Sequence, residues 1–541
     1  MELVLTPDQI RSRYNLNYIV AEILYNRGIF TSKSIEEYLY ADFNDLYSPF
    51  DIPGVIEVSE IIKESAYFGD KIVIYSDYDV DGITSAAILY KAILKKAKKA
   101  NVSIYVSNRF VDGYGLSIGA IDKMAEEGTD LLITLDCGIS NHEEIEYAKN
   151  KGIKVCVIDH HESSNPPNVP FVDLKASQGD YPFRELCGAG VTYKVAQALL
   201  EDPFYEMVDL VAVATVADVV DLIGENRILV KAGLDKIRSG NANPGLQELI
   251  NIRQINCEDF QSYHIGFQIG PLINAIGRMD SATEAVELFL TDNPTRRKQI
   301  AYKLDQINLL RQEKQASALN RALTEIDPTA NVIMYQDERI EAGIVGLVAG
   351  DLKEKFNKPV IVIGGGGKGS CRSVNPLNIY MLLEECSEYF EQYGGHAMAA
   401  GLSIKEGVFD ELYEKIQELT EGIEYEPIIP DMDIELKDIT WDLIEGIERM
   451  APFGKGNPKP KFKTKNCELS SISVTRDGKH LRFRARDESI DWDIQAIGFQ
   501  MSDKEDLCKQ GKVNLIYQPD INEWRGQKSL QLLMRDIEKA G

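Results

Sequence analysis

A chain of 541 residues is too long for one ordinary domain, and its 44% hydrophobic and 27% charged residues supply ample core. A net charge of −26 excludes a protein that coats nucleic acid by electrostatics alone, since that attraction needs clustered lysines and arginines. It leaves room for a nucleic-acid enzyme with a local basic groove or bound metal ions. No run of eighteen apolar residues offers a membrane span, and the N-terminal MELVLTPDQIRSRYN has neither the basic start nor the apolar stretch of a signal peptide. Eight scattered cysteines without a C-x-x-C pair predict reduced, mostly buried thiols in a cytoplasmic protein.

Residues 1–50 predict a helical segment. From 71 onward short apolar runs alternate with helical stretches: KIVIY (71–75), GITSAAILYKAILKKAKKA, VSIYV (102–106), LLITLD (131–136) and KVCVID (154–159). This rhythm predicts a parallel sheet with helices on both faces, whose ligands bind at the carboxyl ends of the strands. Residues 180–285 are mostly helical. Ile300, Leu304, Ile307 and Leu310 recur at helical spacing and predict one long connecting helix over 286–325. Strands NVIMY (331–335) and KPVIVIG (358–364) open a second α/β domain over 326–424. After the linker-like IEYEPIIPD, the runs KFKTKN, SISVTR, HLRFRAR, DIQAIGF, KVNLIYQ and SLQLLMRDI predict a small β-barrel over 425–541.

Chemistry collects at the predicted strand ends. KIVIY runs into Asp77, Asp79 and Asp81; LLITL runs into Asp136; KVCVI runs into Asp159, His160 and His161. The two histidines are a third of the chain's six, and neighbouring side chains on a regular strand point to opposite faces. Asp218, in the apolar run VAVATVADVVDL, is costly to bury without a cation beside it. Taken singly, SDYDVDG reads equally well as a solvated turn. Together, oxygen ligands with one or two imidazoles suit Mn²⁺ or Mg²⁺. So many carboxylates exceed the needs of one ion and suit two, placed to clamp both the attacking and leaving oxygens of a phosphoester.

These residues resemble the motifs of the DHH phosphoesterase superfamily: DYDVDGITSA, LDCGIS, IDHHE and TVADVVDL. Beyond them, SNRFVDGYGL, LCGAGVTYKV, IGPLINAIGRMDSA, GKGSCRS, YGGHAMAAGL, MAPFGKGNPKP and INEWRGQKSLQLLMRDI are similar, in order, to the RecJ family of single-strand-specific exonucleases. The resemblance covers the chain from about residue 50. It implies a DHH catalytic domain over 51–285, a DHH-associated domain across a cleft from it, and a C-terminal OB-fold. It also implies a metal-dependent 5′-to-3′ exonuclease of single-stranded DNA, acting in repair or recombination. Asp77, Asp79 and Asp136 would hold one ion; Asp81, Asp136, His160 and Asp218 the other, with Asp136 as the bridge. His161 would face the phosphate, and Asp159 would orient an imidazole or fix the turn.

Several cations suit phosphate binding: Arg109 in SNRF, Arg278 in NAIGRMD, Arg372 beside Ser370 in GKGSCRS, and His396 in the Gly-rich YGGHAMAAGL. Each arginine, taken singly, equally suits a salt bridge within the fold. Over 451–486 ten basic residues stand against Glu468 and Asp477, and alternation in KFKTK and HLRFRAR puts the cations on one strand face. A solvated sheet face or a groove for a single-stranded backbone would both look like this. Trp524 suits either a stacking platform or core. One departure stands out: Glu341 and Ala342 occupy the place of the Trp-His pair usual in the family. The expected partner is single-stranded DNA, with a helicase or a single-strand-binding protein as a further candidate, and the expected state is a monomer. Two rival functions predict different sequences. A DHH phosphodiesterase for short oligonucleotides or cyclic dinucleotides would lack the barrel, and a catalytically dead scaffold would lack motif carboxylates.

Overall fold

The computed structural model describes residues 3–108, 111–113, 115–279, 282–524 and 526–540, with the backbone alone at 278, 279 and 524. The chain packs as two compact units. The first comprises Thr31–Leu309 and Met450–Pro458; the second comprises Leu3–Phe30, Leu310–Arg449 and the chain from 459 onward.

The first fifty residues hold short helices α1 (Pro7–Tyr14), α2 (Tyr18–Asn26) and α3 (Ser32–Tyr40). Thr6 and Thr31 open α1 and α3 with reciprocal capping boxes. Downstream lie α4 (Val55–Phe68), α5 (Val80–Lys96), α6 (Ile118–Glu126), α7 (His142–Asn150), α8 (Gly188–Leu200), α9 (Val208–Ala217) and α10 (Gly224–Arg238). The strands among them are β1 (Lys71–Ser76), β2 (Asn101–Val106), β3 (Leu131–Leu135), β4 (Lys154–Ile158) and β5 (Phe171–Val172). They form one sheet in the order β2-β1-β3-β4-β5, and every pairing is parallel.

Strand residues alternate between two cores. Ile72, Ile74, Leu131, Ile133, Cys156 and Ile158 pack with α4, α5, α8 and α9. Val73, Tyr75, Leu132, Val155 and Val157 pack with α6 and α7 on the other face. A sheet covered on both faces explains why its strands read as continuous apolar runs.

In the second unit β6 (Ile333–Gln336), β7 (Val360–Ile363), β8 (Lys368–Arg372), β9 (Phe390–His396) and β10 (Ala399–Ile404) form a mixed sheet ordered β6-β7-β8-β10-β9. Only β6 and β7 pair in parallel. Gly364–Gly367 turn the chain between antiparallel β7 and β8. The last six strands are β11 (Met432–Asp433), β12 (Phe462–Val474), β13 (Leu481–Arg486), β14 (Ile494–Gly498), β15 (Val513–Trp524) and β16 (Gln527–Lys539). Pairing of β12 with both β13 and β15 closes five of them into a barrel.

Two elements differ from the sequence expectation. The long helix runs Pro294–Glu325, not from 286, and Thr283–Leu290 is a separate helix. The break falls at Asn293, whose side chain accepts from the N–H groups of Thr295 and Arg296, with Pro294 opening the helix. KFKTKN and SISVTR are one strand, β12, with register shifts at Thr464/Cys467 and Ser470/Ser473. Asn466 and Ser471 have φ of 57° and 52°, the left-handed bends that interrupt the alternating pattern.

Candidate metal centre

In the first sheet the strand order reverses between β1 and β3, and crevices at such switch points are where open parallel sheets bind ligands. The loop after β1 and the residue after β3 are Asp77–Asp81 and Asp136. Asp79 caps α5: its Oδ1 accepts from the N–H groups of Asp81 and Gly82 at 2.8 and 3.1 Å. Gly82 has to be glycine, because a Cβ there would stand 2.4 Å from the Asp77 carbonyl oxygen. Asp77 accepts from the Ser107 hydroxyl at the end of β2. Asp136 extends β3 by one hydrogen bond to Ile158 and then takes φ 58°, a left-handed conformation that aspartate tolerates.

Asp81 is held from another element altogether. The first two backbone N–H groups of α8, on Gly188 and Ala189, donate to its two carboxylate oxygens at 2.7 Å each. Hydrogen bonds to a charged group contribute about 1.5–3 kcal/mol apiece, and the helix dipole adds to them. Asp218 sits at the C-terminal cap of α9. Around His160 Nε2 stand Asp136 Oδ1 at 3.2 Å, Asp81 Oδ2 at 3.7 Å and Asp218 Oδ2 at 3.8 Å.

Among the described residues, the potential ligand atoms fall into three groups, each within 4.8 Å: Asp77, Asp79 and Asp136; Asp81, His160 and Asp218; Asp136, His160 and His161. Both histidine rings enter the site, 4.5 Å apart, so the expectation of opposed directions fails. The strand ends at Ile158, and alternation ends with it. Buried Asp159 accepts from the backbone N–H of His160 and of Ile139 and pairs with His161 Nδ1 at 2.7 Å.

The electrostatics describe a cradle short of positive charge. Burial, then the Asp81, Asp79 and Asp218 charges, push Asp136 well above the usual carboxylate range. Burial also raises Asp81, Asp77 to about 7 and Asp218 to about 8, with neighbouring carboxylates adding to each. Asp136 Oδ1 is buried without a hydrogen-bond partner. A divalent cation would reverse these penalties, and oxygen donors with imidazole fit Mn²⁺ or Mg²⁺. Burial lowers His160 below its ordinary range, which favours the neutral ring that a metal ligand would need. Burial alone would lower His161 too, but the Asp159 bond and charge outweigh it and raise the ring to about 9.

Four helpers had no local signal in the sequence: Gly188 and Ala189 within LCGAG, Ser107, and Asn274, whose side chain accepts from the Val80 N–H. Motif membership alone could have flagged all four, which lie in SNRFVDGYGL, LCGAGVTYKV and IGPLINAIGRMDSA. Arg109 lies outside the described residues, and so do the side chains of Arg278 and Trp524.

The second unit gathers another polar group. Arg372 donates to Ser370 Oγ at 2.9 Å, and a Cβ on Gly346 would lie 3.1 Å from both side chains. His396 is exposed at the end of β9. Gly395, with φ 146°, is required by packing, since a Cβ would meet the Ala399 carbonyl oxygen at 2.5 Å; Gly394 faces open space. Glu341 forms an ion pair with Lys314. In the barrel Arg482, Arg484 and Arg486 are exposed while Phe483 is buried, as alternation requires. The basic face is narrower than its sequence implies. Lys459, Lys463, Lys465 and Arg486 pair with Asp520, Glu538, Asp433 and Glu468.

Comparison with known proteins matches three family models: the DHH family N-terminal domain over 71–215, the DHHA1 domain over 329–422 and the RecJ OB domain over 430–536. The single-stranded-DNA-specific exonuclease RecJ of Bacillus subtilis is 32% identical over 98% of this chain and 70% of its own length. That of Escherichia coli is 31% identical over 90% of each. The crystal structure of RecJ from Thermus thermophilus in complex with Mn²⁺ superposes with a TM-score of 0.84 at 26% identity, covering 100% of this chain and 79% of that one.

Proposed function

This chain belongs to the RecJ family of single-stranded-DNA-specific exonucleases, and we propose that it hydrolyses phosphodiester bonds of single-stranded DNA from the 5′ end. Asp77, Asp79 and Asp136 would hold one Mn²⁺ or Mg²⁺ ion, and Asp81, Asp136, His160 and Asp218 would hold a second. When bound, the ions supply the charge that ionises a water at neutral pH and offsets charge on the phosphodiester oxygens. The observation that carries this reading is the convergence of Asp81, Asp136 and Asp218 within 3.8 Å of the His160 Nε2 atom.

The chain's own groups do the rest. Asp159 holds His161 as a cation, and His161 donates toward a non-bridging phosphate oxygen as negative charge grows there. Ser370, Arg372 and His396 bind phosphates of the strand, as do Arg109 and Arg278. Exposed Arg482 and Arg484 track the backbone of the single strand on the barrel. The protein works as a monomer in DNA repair or recombination, on single strands supplied by a helicase or presented by a single-strand-binding protein. Eight free cysteines, seven of them buried, suit the reducing cytoplasm. No helix among the described residues is long and apolar enough to cross a membrane.

Digestion of end-labelled single strands tests this reading, with 5′ label against 3′ label and DNA against RNA, in Mn²⁺ or Mg²⁺. Prompt release of 5′-labelled mononucleotide from DNA is expected. Release from 3′ ends alone would overturn the polarity.

A further inference from the structure

The motif MAPFGKGNPKP (450–460) takes no part in the chemistry above, yet residues 450–458 pack within the first unit. They lie on the loop that follows Asp218. Gly454 and Asn457 exchange backbone hydrogen bonds, forming a tight turn with Lys455 and Gly456 at its tip. The tip sits on Asp221 and Leu222. The Leu222 N–H donates to the Lys455 carbonyl at 2.8 Å, and the Lys455 ammonium lies 3.5 Å from Asp221 Oδ1. Both glycines are fitted to that contact. A Cβ on Gly454 would stand 2.7 Å from Leu222 Cδ1, and one on Gly456, whose φ is 72°, would stand 2.9 Å from Asp221 Cβ.

The turn is clamped from behind. Buried Arg227 of α10 donates to the carbonyls of Met450 and Ala451 at 3.0 and 2.8 Å, and its guanidinium lies 4.0 Å from the centre of the Tyr38 ring. Buried Asn457 donates to the carbonyls of Met450 and Pro452 and accepts from the Tyr38 hydroxyl. Ser262 donates to the Phe453 carbonyl. The loop thus held begins at Asp218 and is strained: Val219 is 59% exposed and has φ 58°, which a β-branched residue rarely adopts. Such a conformation persists only where its surroundings impose it.

We propose that the 454–457 turn is a positioning element of the metal centre, with Arg227 and Asn457 as positioning residues that hold the Asp218–Leu222 loop, and so the Asp218 carboxylate, in place. The inference rests on the reading of Asp218 as a metal ligand. The test counts and titrates Mn²⁺ on the full chain by electron paramagnetic resonance, beside steady-state kinetics on single-stranded DNA. Gly454→Ala is expected to weaken one of two Mn²⁺ equivalents about tenfold, as loss of a ligand's support does, and to leave the other within twofold. kcat falls with it, while KM for DNA stays within twofold. Adding Leu222→Ala makes room for the new methyl group and restores the weakened equivalent. Asn457→Ala loosens the turn from the other side with the same signature, and carries the test if Gly454→Ala does not fold. A folded variant that binds both equivalents like the parent, or loses only KM, overturns the inference. Asp218→Asn run in parallel separates the two readings: if it leaves Mn²⁺ binding intact, the ligand assignment itself has failed.

Discussion

Asp159 Oδ1 stands 2.7 Å from His161 Nδ1 and also accepts the backbone N–H of His160, so one buried carboxylate fixes both the turn and the charge of an imidazole in the metal centre. His161 titrates near 9 in the fold against an ordinary 6.5. The stability its pairing supplies is therefore complete below pH 6.5 and is lost as pH rises through about 9. Asp159→Asn is expected to return the ring toward 6.5 and to lower kcat at pH 8 by about 10- to 100-fold. Nuclear magnetic resonance titration of the histidine rings checks the first effect; a pH–rate profile checks the second.

Removing a carboxylate from the cradle separates activity from stability. Asp136→Ala is expected to cut Mn²⁺-dependent nuclease activity by roughly 10³-fold or more. The metal-free protein loses like-charge repulsion with it, so its thermal midpoint in EDTA should equal or exceed the parent's. Full activity in this variant would sink the bridging role.

Proton competition at the same residues sets a pH dependence. In the metal-free protein Asp77 and Asp218 titrate near 7 and 8. Their contribution to metal-free stability is complete below the ordinary 3.8 and is lost as pH rises through those values. Mn²⁺ has to displace these protons, so calorimetry should find its Kd rising as pH falls from about 8 to about 6, with proton uptake by the buffer. A pH-independent Kd would contradict the raised carboxylates.

Gly188 serves two carboxylates at once: its N–H donates to Asp81, and a Cβ on it would stand 2.9 Å from Asp136 Oδ1. Gly188→Ala should therefore weaken Mn²⁺ binding by about 10- to 100-fold without unfolding the sheet. Circular dichroism and Mn²⁺ titration on one sample settle it.

On the barrel, the arginines outside ion pairs should matter most. Replacing Arg482 and Arg484 with alanine is expected to raise KM for long single strands and to lower the salt slope of binding by about 1 per residue. Arg486→Ala should do less, because Arg486 already pairs with Glu468.

The legible parts of this molecule are the local ones. KIVIY, LLITL and KVCVI announce parallel strands because both their faces are buried, and the carboxylates at their ends announce the site because the fold class says where strand ends meet. What pairs across the chain left no trace. The support of Asp81 comes from N–H groups 107 and 108 residues away, which any residue but proline carries. The joint entry of His160 and His161 depends on where β4 stops, and a strand's end is read poorly from pattern alone. The neutralised part of the basic barrel face depends on acids such as Asp433 and Glu538, remote from it in sequence.

The hydrogen bond from Arg227 to Met450 spans 223 residues, and it has a bearing on how the protein is made. Every strand of the first sheet, and every carboxylate of the metal centre, leaves the ribosome long before the turn that supports the last of them. Chains fold from the N-terminal side as they are synthesised. Residues 450–458, the last part of the first unit, emerge only after Leu310–Arg449 of the second unit have been made. A chain abandoned before that point carries every residue of the proposed metal centre and still lacks the 450–458 segment of the first unit.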